Sequence, residues 1–243
     1  MNRKVILGAF VVAIAAVAGF GIQHLLADHP PITEDKNVAA TVASVPAAAP
    51  SDEDAPHARP IPETVPAIAL PDDHGVSRQL SEWKGRPVII NFWATWCGPC
   101  REEIPLLKAL RNERTQDRLE VVGIAIDQRE AVLKYVRDIG IDYPVLIGEK
   151  EGYAAAESFG VSLVLPFSVF ADSQGRIVTL KIGELHANEA AFILDRVRDI
   201  DMKRLELTAA RRQIVDKMRE FAVDRGKEAA TADGIAEAAA DRG

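Results

Sequence analysis

The chain has 243 residues, a formal net charge of −7 and a hydrophobic fraction of 48%. Its excess of acidic residues argues against a nucleic-acid binder, which would present a basic face. Cysteine occurs only 2 times, which excludes a small fold held by several disulfides and a structural zinc site of four thiolates. The length allows one or two domains.

Residues 1–27 are predicted to form a membrane anchor. Arg3 and Lys4 precede a stretch without charged residues at positions 5–22, and apolar residues resume soon afterwards. A helix over this stretch would be about 27–33 Å long, which matches the hydrocarbon core of a bilayer. The basic end should stay in the cytoplasm. A cleaved signal peptide remains the alternative, because the Ala-Val-Ala at residues 16–18 resembles a cleavage site and cleavage would leave a soluble periplasmic protein.

Residues 28–64 are predicted to be a disordered linker rich in proline and alanine. They contain 7 prolines and no aromatic residue. A segment of this composition buries too little apolar surface to offset its chain entropy. We therefore expect a spacer between the anchor and a folded domain at residues 65–200.

The folded domain is predicted to alternate between strands and helices. A short apolar run at residues 65–70 precedes a turn, and residues 80–83 predict one helical turn. Strands are predicted at residues 88–93, 119–126, 143–147, 167–171 and 176–182, the last two forming a hairpin. Helices are predicted at residues 97–114, 130–139, 151–159 and from 189 onward. This order predicts an α/β three-layer sandwich with a mixed sheet.

Residues 201–226 are predicted to be a helical extension of that domain. Five apolar residues recur at helical spacing along it: Leu207, Ala210, Ile214, Met218 and Phe221. This stripe should pack on its own domain or self-associate. Gly226 should end the helix, and the Ala- and acid-rich residues 227–243 should be disordered.

The two cysteines form a CxxC motif where a predicted strand passes into a predicted helix. Cys97 falls at the helix N-terminus, where free N–H groups and the helix dipole favour a thiolate. Pro99 fits the first helical turn. The spacing lets Cys97 act as the attacking nucleophile and Cys100 as the resolving thiol. Reduced structural cysteines, or half of a metal site, are the alternatives; we predict a redox pair and no metal.

The stretch NFWATWCGPCREEIP at residues 91–105 resembles the active site of thioredoxin-fold proteins. More narrowly, it is similar to the TlpA/ResA-like, membrane-anchored thiol–disulfide oxidoreductases of the bacterial envelope. The resemblance covers residues 60–200 and implies a thioredoxin fold with a strand–helix insert within residues 127–162. It also implies a cis-proline at Pro166, substrate contacts from Trp96, Leu165 and Pro166, and no cofactor besides the cysteine pair.

The resemblance also suggests a proton acceptor. Thioredoxins carry a buried aspartate where this chain has Asn91, whereas ResA-like members place a glutamate three residues after the second cysteine. Glu103 matches that position and would take the proton of Cys100. The alternative is a solvated surface acid like its neighbour Glu102. His186 is expected to be an ordinary surface histidine.

The Gly-Pro pair between the cysteines matches thioredoxin, a reducing couple at about −270 mV. We therefore expect a protein disulfide reductase in the inner membrane, with its catalytic domain in the periplasm. Its implied partners are cell-envelope protein disulfides and a membrane thiol reductant of the DsbD/CcdA type. Phe167 stands where the cytochrome c maturation branch carries a glutamate, which weakens a haem-protein substrate and leaves copper-site assembly proteins as alternative targets.

Three other functions fit the sequence less well. A thioredoxin-fold copper-site assembly protein of the Sco type separates its two cysteines by three residues, whereas this chain has two between them. A peroxidase of the peroxiredoxin class needs a different cysteine context. A non-catalytic interaction module would not depend on Cys97.

Overall fold

The computed structural model describes the backbone of residues 60–162 and 164–240, and the side chains of these residues up to 227. The predicted anchor at residues 1–27 and most of the predicted linker lie outside the described residues. Within the described part of the chain, no helix combines the length and apolar character needed to span a bilayer.

A five-stranded mixed sheet forms the centre of the domain. Before it, β1 (Ala69–Pro71) and β2 (Ser77–Gln79) form an antiparallel hairpin, and Leu80–Trp83 form a 3₁₀ turn. The sheet order is β5-β4-β3-β6-β7. Its strands are β3 (Val88–Trp93), β4 (Glu120–Ala125), β5 (Val145–Ile147), β6 (Phe167–Ala171) and β7 (Ile177–Ile182). Strands β3, β4 and β5 are parallel, while β6 and β7 are antiparallel, so the predicted mixed α/β sheet is confirmed.

Helices cover both faces of the sheet. They are α1 (Gly98–Glu113), α2 (Arg129–Ile139), α3 (Lys150–Ser158), α4 (Ala187–Asp201) and α5 (Leu207–Ala240). Residues of α1, α2, α4 and α5 pack on one face, and the β1–β2 hairpin, the 3₁₀ turn and α3 pack on the other. All residues of β3 and β4 are therefore buried, which explains their nearly continuous apolar sequences. The region of the predicted insert contains α2, β5 and α3.

The N-terminal boundary of the domain differs from the prediction. The Glu63 carbonyl accepts a hydrogen bond from Ile177 N (2.9 Å), and Thr64 forms an isolated bridge with Arg176. Contacts with the sheet thus begin before residue 65, so the predicted linker boundary at residue 64 is wrong. Strand β2 was also not predicted, because Ser77–Gln79 contains no apolar residue and no buried one.

The C-terminal extension packs on its own domain. Ala210 and Ile214 of α5 are buried, and Leu207 and Met218 pack against the same core. The predicted stop at Gly226 and the predicted disorder of residues 227–240 are wrong, because α5 continues to Ala240; the remainder of the predicted disordered tail lies outside the described residues. Gly226 does not adopt the left-handed conformation with which Gly140 ends α2 (φ +63°). The alanine-rich residues after Gly226 have high helix propensity, which favours this continuation.

Candidate active site

The two cysteines are joined by a disulfide at the start of α1. The sulfurs lie 2.02 Å apart and the Cα atoms 5.3 Å apart. Cys97 is the N-cap residue, and its Sγ accepts a hydrogen bond from Cys100 N at 3.3 Å. Cys97 keeps 7% of its surface exposed whereas Cys100 is 0% exposed. Of the two cysteines, Cys97 is therefore the one that offers surface to a partner from solution.

A half-buried contact between residues that follow two neighbouring strands holds the loop before Cys97. Thr95 donates from its backbone N (2.9 Å) and its Oγ1 (2.5 Å) to Asp127 Oδ2. Thr95 follows β3 and Asp127 follows β4, and the carboxyl ends of parallel neighbours meet at one sheet edge. Asp127 was not predicted as part of the site, although its position directly after a predicted strand was the available signal. Next to Thr95, Trp96 remains 64% exposed.

The predicted cis-proline is present. The Leu165–Pro166 peptide bond is cis, and Pro166 is buried directly before β6, which pairs with β3. Trp96 and Leu165 line one groove of about 240 Å³, which apolar and aromatic side chains dominate. Its other lining residues are Ile126, Tyr153, Ala156, Val164 and Phe167. The structure thus brings two of the three predicted substrate-contacting residues to one concave surface, next in sequence to Cys97 and Pro166.

Glu103 is buried, with 2% of its surface exposed, so its interpretation as a solvated surface acid is wrong. It lies on the buried face of α1 together with Cys100 and Leu107, whereas Glu102 is exposed. Its Oε1 accepts a hydrogen bond from Asn91 Nδ2 (2.6 Å), and its Oε2 accepts one from Leu185 N (2.8 Å). Because residues three apart on a helix are neighbours, this carboxyl is close to Cys100.

The surroundings of Glu103 bring its titration close to neutral pH. Burial raises the pKa of Glu103 to about 7, while the hydrogen bonds from Leu185 and Asn91 act in the opposite direction. The negative charge of Glu184 raises this pKa further and the positive charge of Lys181 lowers it. A carboxyl with this pKa can both take up and release a proton under ordinary conditions.

Asn91 acts as a hydrogen-bond donor to the buried acid. Its Nδ2 donates to Glu103 and also to Ser168 Oγ (3.1 Å), while its Oδ1 is buried and has no hydrogen-bond partner among the described residues. From the sequence alone, Asn91 was notable only because thioredoxins carry an aspartate at this position. The structure shows that this amide binds the carboxylate supplied by α1, a role that required knowledge of which face of α1 is buried.

His186 is the N-cap residue of α4, and its side chain is 38% exposed, as expected for a surface histidine. Within the described residues, no group of three or more His, Cys, Asp or Glu side chains is placed to hold a metal ion.

A mixed sheet with a CxxC disulfide at the start of the helix after β3 and a cis-proline directly before the neighbouring strand β6 is the arrangement of thioredoxin-like thiol–disulfide oxidoreductases. Residues 61–200 match the AhpC/TSA family, and the chain belongs to this family. It is 32% identical to the thiol-disulfide oxidoreductase ResA of Bacillus thuringiensis, over 51% of this chain and 70% of that protein. It is also 32% identical to the thioredoxin-like protein YneN of Bacillus subtilis, over 55% of this chain and 78% of that protein.

Solved structures of thiol–disulfide proteins also share the fold of this chain. A putative thiol:disulfide interchange protein DsbE from Chlorobium tepidum superposes with a TM-score of 0.50 at 25% identity, covering 57% of this chain and 94% of that one. A secreted thiol-disulfide isomerase from Corynebacterium glutamicum superposes with a TM-score of 0.51 at 26% identity, covering 56% and 85%. The thioredoxin fold and thiol–disulfide oxidoreductase activity are thereby established, and the copper-assembly alternative gains no support from these relatives.

Proposed function

We propose that this oxidoreductase works as a reductase of disulfides in cell-envelope proteins. The observation that carries the proposal is the disulfide at the start of α1, in which Cys97 keeps some exposed surface and Cys100 is fully buried next to a buried acid. An accessible sulfur can meet a large protein substrate, and a sealed one reacts only with its neighbour. The Gly-Pro pair between the cysteines supports the reducing direction.

In the proposed cycle, the reduced protein donates two electrons. The Cys97 thiolate attacks one sulfur of the substrate disulfide, so a Cys97–substrate disulfide forms and the other substrate sulfur leaves as a thiolate. Cys100 then loses its proton and attacks the Cys97 sulfur. This step forms the Cys97–Cys100 disulfide and releases the second substrate thiolate. The substrate is reduced to a dithiol, and the protein is left in the oxidised state that the structure describes.

Glu103 is proposed to take the proton from Cys100 in the second step. Cys100 is shielded from solvent, so water cannot readily serve as the acceptor. Glu103 is one helical turn away and its pKa of about 7 suits exchange with a thiol. Asn91 and Leu185 hold the carboxylate in place from two different elements.

The groove lined by Trp96 and Leu165 is proposed to hold the substrate segment that carries the disulfide. Trp96 offers a large exposed aromatic surface directly before the nucleophile. The apolar lining favours substrates whose cysteine is flanked by apolar residues. Phe167 contributes an aromatic ring to this lining, so nothing at this position favours a haem protein over other envelope proteins with reducible cysteines.

The cellular setting is proposed from the sequence. We infer that residues 1–27 anchor the protein in the inner membrane and that residues 28–64 hold the catalytic domain in the periplasm. No cofactor is needed for the cycle, because both electrons reside on the cysteine pair. A membrane thiol reductant of the DsbD/CcdA type would return the disulfide to the dithiol by the reverse exchange.

A trapping experiment tests the proposed cycle. Cys100→Ser should leave the mixed disulfide on Cys97 unresolved, so that substrate proteins are isolated covalently attached to it from cells. Treatment with dithiothreitol should release them for identification. The matched control is Cys97→Ser, which keeps the buried thiol and should capture nothing because Cys100 is inaccessible.

Two results would contradict the proposal. If a folded Cys100→Ser protein captures no substrate, the proposal that the protein acts on disulfides of other proteins is contradicted. Failure of the wild-type protein to reduce a protein disulfide, when supplied as the dithiol, would remove the reducing direction.

A further inference from the structure

The C-terminal helix α5 returns along α4 toward the end of the sheet that carries the site. Arg196 of α4 donates to Gln213 Oε1 of α5 (3.1 Å), and further along Arg225 of α5 pairs with Glu189 of α4 (2.9 Å). The pairs occur in opposite order along the two helices, so α4 and α5 are antiparallel. Arg225 therefore lies opposite the first turn of α4, about 27 Å from the start of α5.

Glu189 is a buried carboxylate, 1% exposed, that needs compensating charge. Its Oε1 pairs with Arg225 Nη1 at 2.9 Å, and its Oε2 pairs with Lys181 Nζ at 3.2 Å. The same Oε2 accepts a hydrogen bond from His186 N at 3.1 Å. One carboxylate thus joins α5, β7 and the residue that begins α4.

The loop between β7 and α4, residues 183–186, touches both parts of the site. Gly183 N donates to the carbonyl of the cis-proline Pro166 (2.9 Å), and Leu185 N donates to Glu103 Oε2 (2.8 Å). The position of residues 183–186 therefore determines whether Glu103 keeps the hydrogen bond from Leu185 N. Glu189 holds the segment at its last residue, His186.

We propose that Arg225 is a positioning residue for the thiol–disulfide reaction: through Glu189 it fixes the loop at residues 183–186, which holds the carboxylate of Glu103. This inference rests on the proposed role of Glu103 as proton acceptor. Arg225 belongs to α5, which lies outside residues 61–200, the part of the chain that matches the family.

The expected electrostatic effect has a definite sign. The groups that face Glu103 from the surrounding elements are Asn91 of β3, Lys181 of β7, Glu184 and Leu185 of the loop, and Tyr143 before β5. Among these, the Leu185 hydrogen bond lowers the pKa of Glu103. Without Arg225, Lys181 is the one cation among the described residues that still pairs with Glu189, so the loop is held less firmly and that hydrogen bond weakens. The pKa of Glu103 should then rise.

The test follows the reaction of the reduced full-length protein with one equivalent of 5,5′-dithiobis(2-nitrobenzoate). The first nitrothiobenzoate leaves when Cys97 attacks, and the second leaves when Cys100 resolves the mixed disulfide. The rate of the second phase is measured against pH. In Arg225→Ala its midpoint should move upward by about 0.5–1 pH unit, while the first phase keeps the wild-type profile.

Matched variants separate positioning from general stability. Arg225→Lys should restore most of the wild-type midpoint, because it keeps the positive charge. Arg219→Ala removes an arginine from the same helix whose ion pair in the described part of the chain is with the exposed Asp216, and it should cause no shift. In a Glu103→Gln background, Arg225→Ala should produce no further shift, because the titrating group is gone. If the alanine variant fails to fold, Arg225→Gln keeps the aliphatic stem and serves the same comparison.

An unchanged midpoint in a folded Arg225→Ala protein, or an equal shift in the Glu103→Gln background, overturns the inference while the proposed function stands. A wild-type protein that releases only one nitrothiobenzoate per molecule overturns the resolving role of Cys100, and the inference with it. The two failures are therefore distinguishable.

Discussion

At the scale of single residues, Glu103 shows how a common residue becomes part of a reactive site. Two adjacent glutamates follow the cysteines, and the helix turns one of them into the core and the other to solvent. The buried positions of α1 are Cys100, Glu103, Ile104, Leu107 and Leu110. Glu103 shares the spacing of that apolar stripe, so the periodicity of the sequence already contained the signal for its burial.

Ionisation of Glu103 should lower the stability of the folded protein. The folded state raises the pKa of this carboxyl from 4.5 to about 7, so it binds the proton more tightly than the unfolded chain. Its contribution to the free energy of unfolding is therefore largest below pH 4.5 and falls by about 3 kcal/mol as the pH rises through 7. Glu103→Gln should remove this decline, measured by urea unfolding of the oxidised protein between about pH 4 and 8.

Glu102→Gln is the matched control for this prediction, because Glu102 is the exposed neighbour and should leave the pH dependence unchanged. In Glu103→Gln, the unpaired Asn91 Oδ1 can accept from the new amide if the Asn91 side chain flips, which keeps the site satisfied. Parallel stability curves for wild type and Glu103→Gln would show that Glu103 titrates normally.

The cysteine pair could be predicted from the sequence because a strand–CxxC–helix junction is a local pattern, whereas the cis-proline was implied by the family resemblance of the stretch around it. The partners of Glu103 could not be predicted. Asn91, Leu185 and Glu103 belong to three separate elements, and only the tertiary packing decides that an amide and a backbone N–H meet the carboxylate.

At the scale of elements, long apolar or periodic segments were predicted well and short polar ones were not. Strand β3 has the predicted bounds, 88–93, because six consecutive buried residues give a clear signal. Strand β2 was missed because its three residues pair with β1 through the backbone alone and bury no side chain. The end of α5 was mispredicted because a single glycine costs a helix only about 1 kcal/mol.

The extension formed by α5 should contribute to the stability of the domain. Ile214 is 1% exposed in the same core cluster as Ile104 and Leu107 of α1. Ile214→Ala should lower the free energy of unfolding by about 2–5 kcal/mol, because it removes buried methyl groups and leaves a cavity. The measurement is chemical denaturation of the oxidised protein.

Val215→Ala is the matched control, since Val215 is the next residue on α5 and is 45% exposed. Its effect should stay within about 0.5 kcal/mol. Equal effects of the two substitutions would mean that α5 does not pack through Ile214 as described.

At the scale of the whole molecule, the sequence divides into an apolar start, a proline-rich stretch and a folded oxidoreductase domain. The proposed anchor predicts that the full chain sediments with membranes and resists extraction by alkaline carbonate. A variant with Val12→Lys and Ala15→Lys places two charges within the apolar run and should be released, because each charge at the centre of a spanning helix costs about 3 kcal/mol.

The signal-peptide alternative gives a different result in the same experiment. Cleavage after residue 18 would yield a soluble protein whose N-terminal sequence begins at Gly19. A variant with Ala47→Lys and Ala49→Lys serves as the control for added charge, because both positions lie in the proline-rich stretch outside the apolar run. This control should stay with the membrane fraction if the anchor is intact.

The complete burial of Cys100 affects how the active site responds to oxidation by peroxide. Hydrogen peroxide converts exposed thiolates to sulfenic acid and then, irreversibly, to sulfinic and sulfonic acids. Cys97 is the more exposed of the two cysteines and should be attacked first, and a sulfenic acid on Cys97 then has an intact thiol in the next helical turn with which to condense. The product is the ordinary disulfide and water, so the shielded sulfur turns a damaging oxidation into one that the normal reductant can reverse.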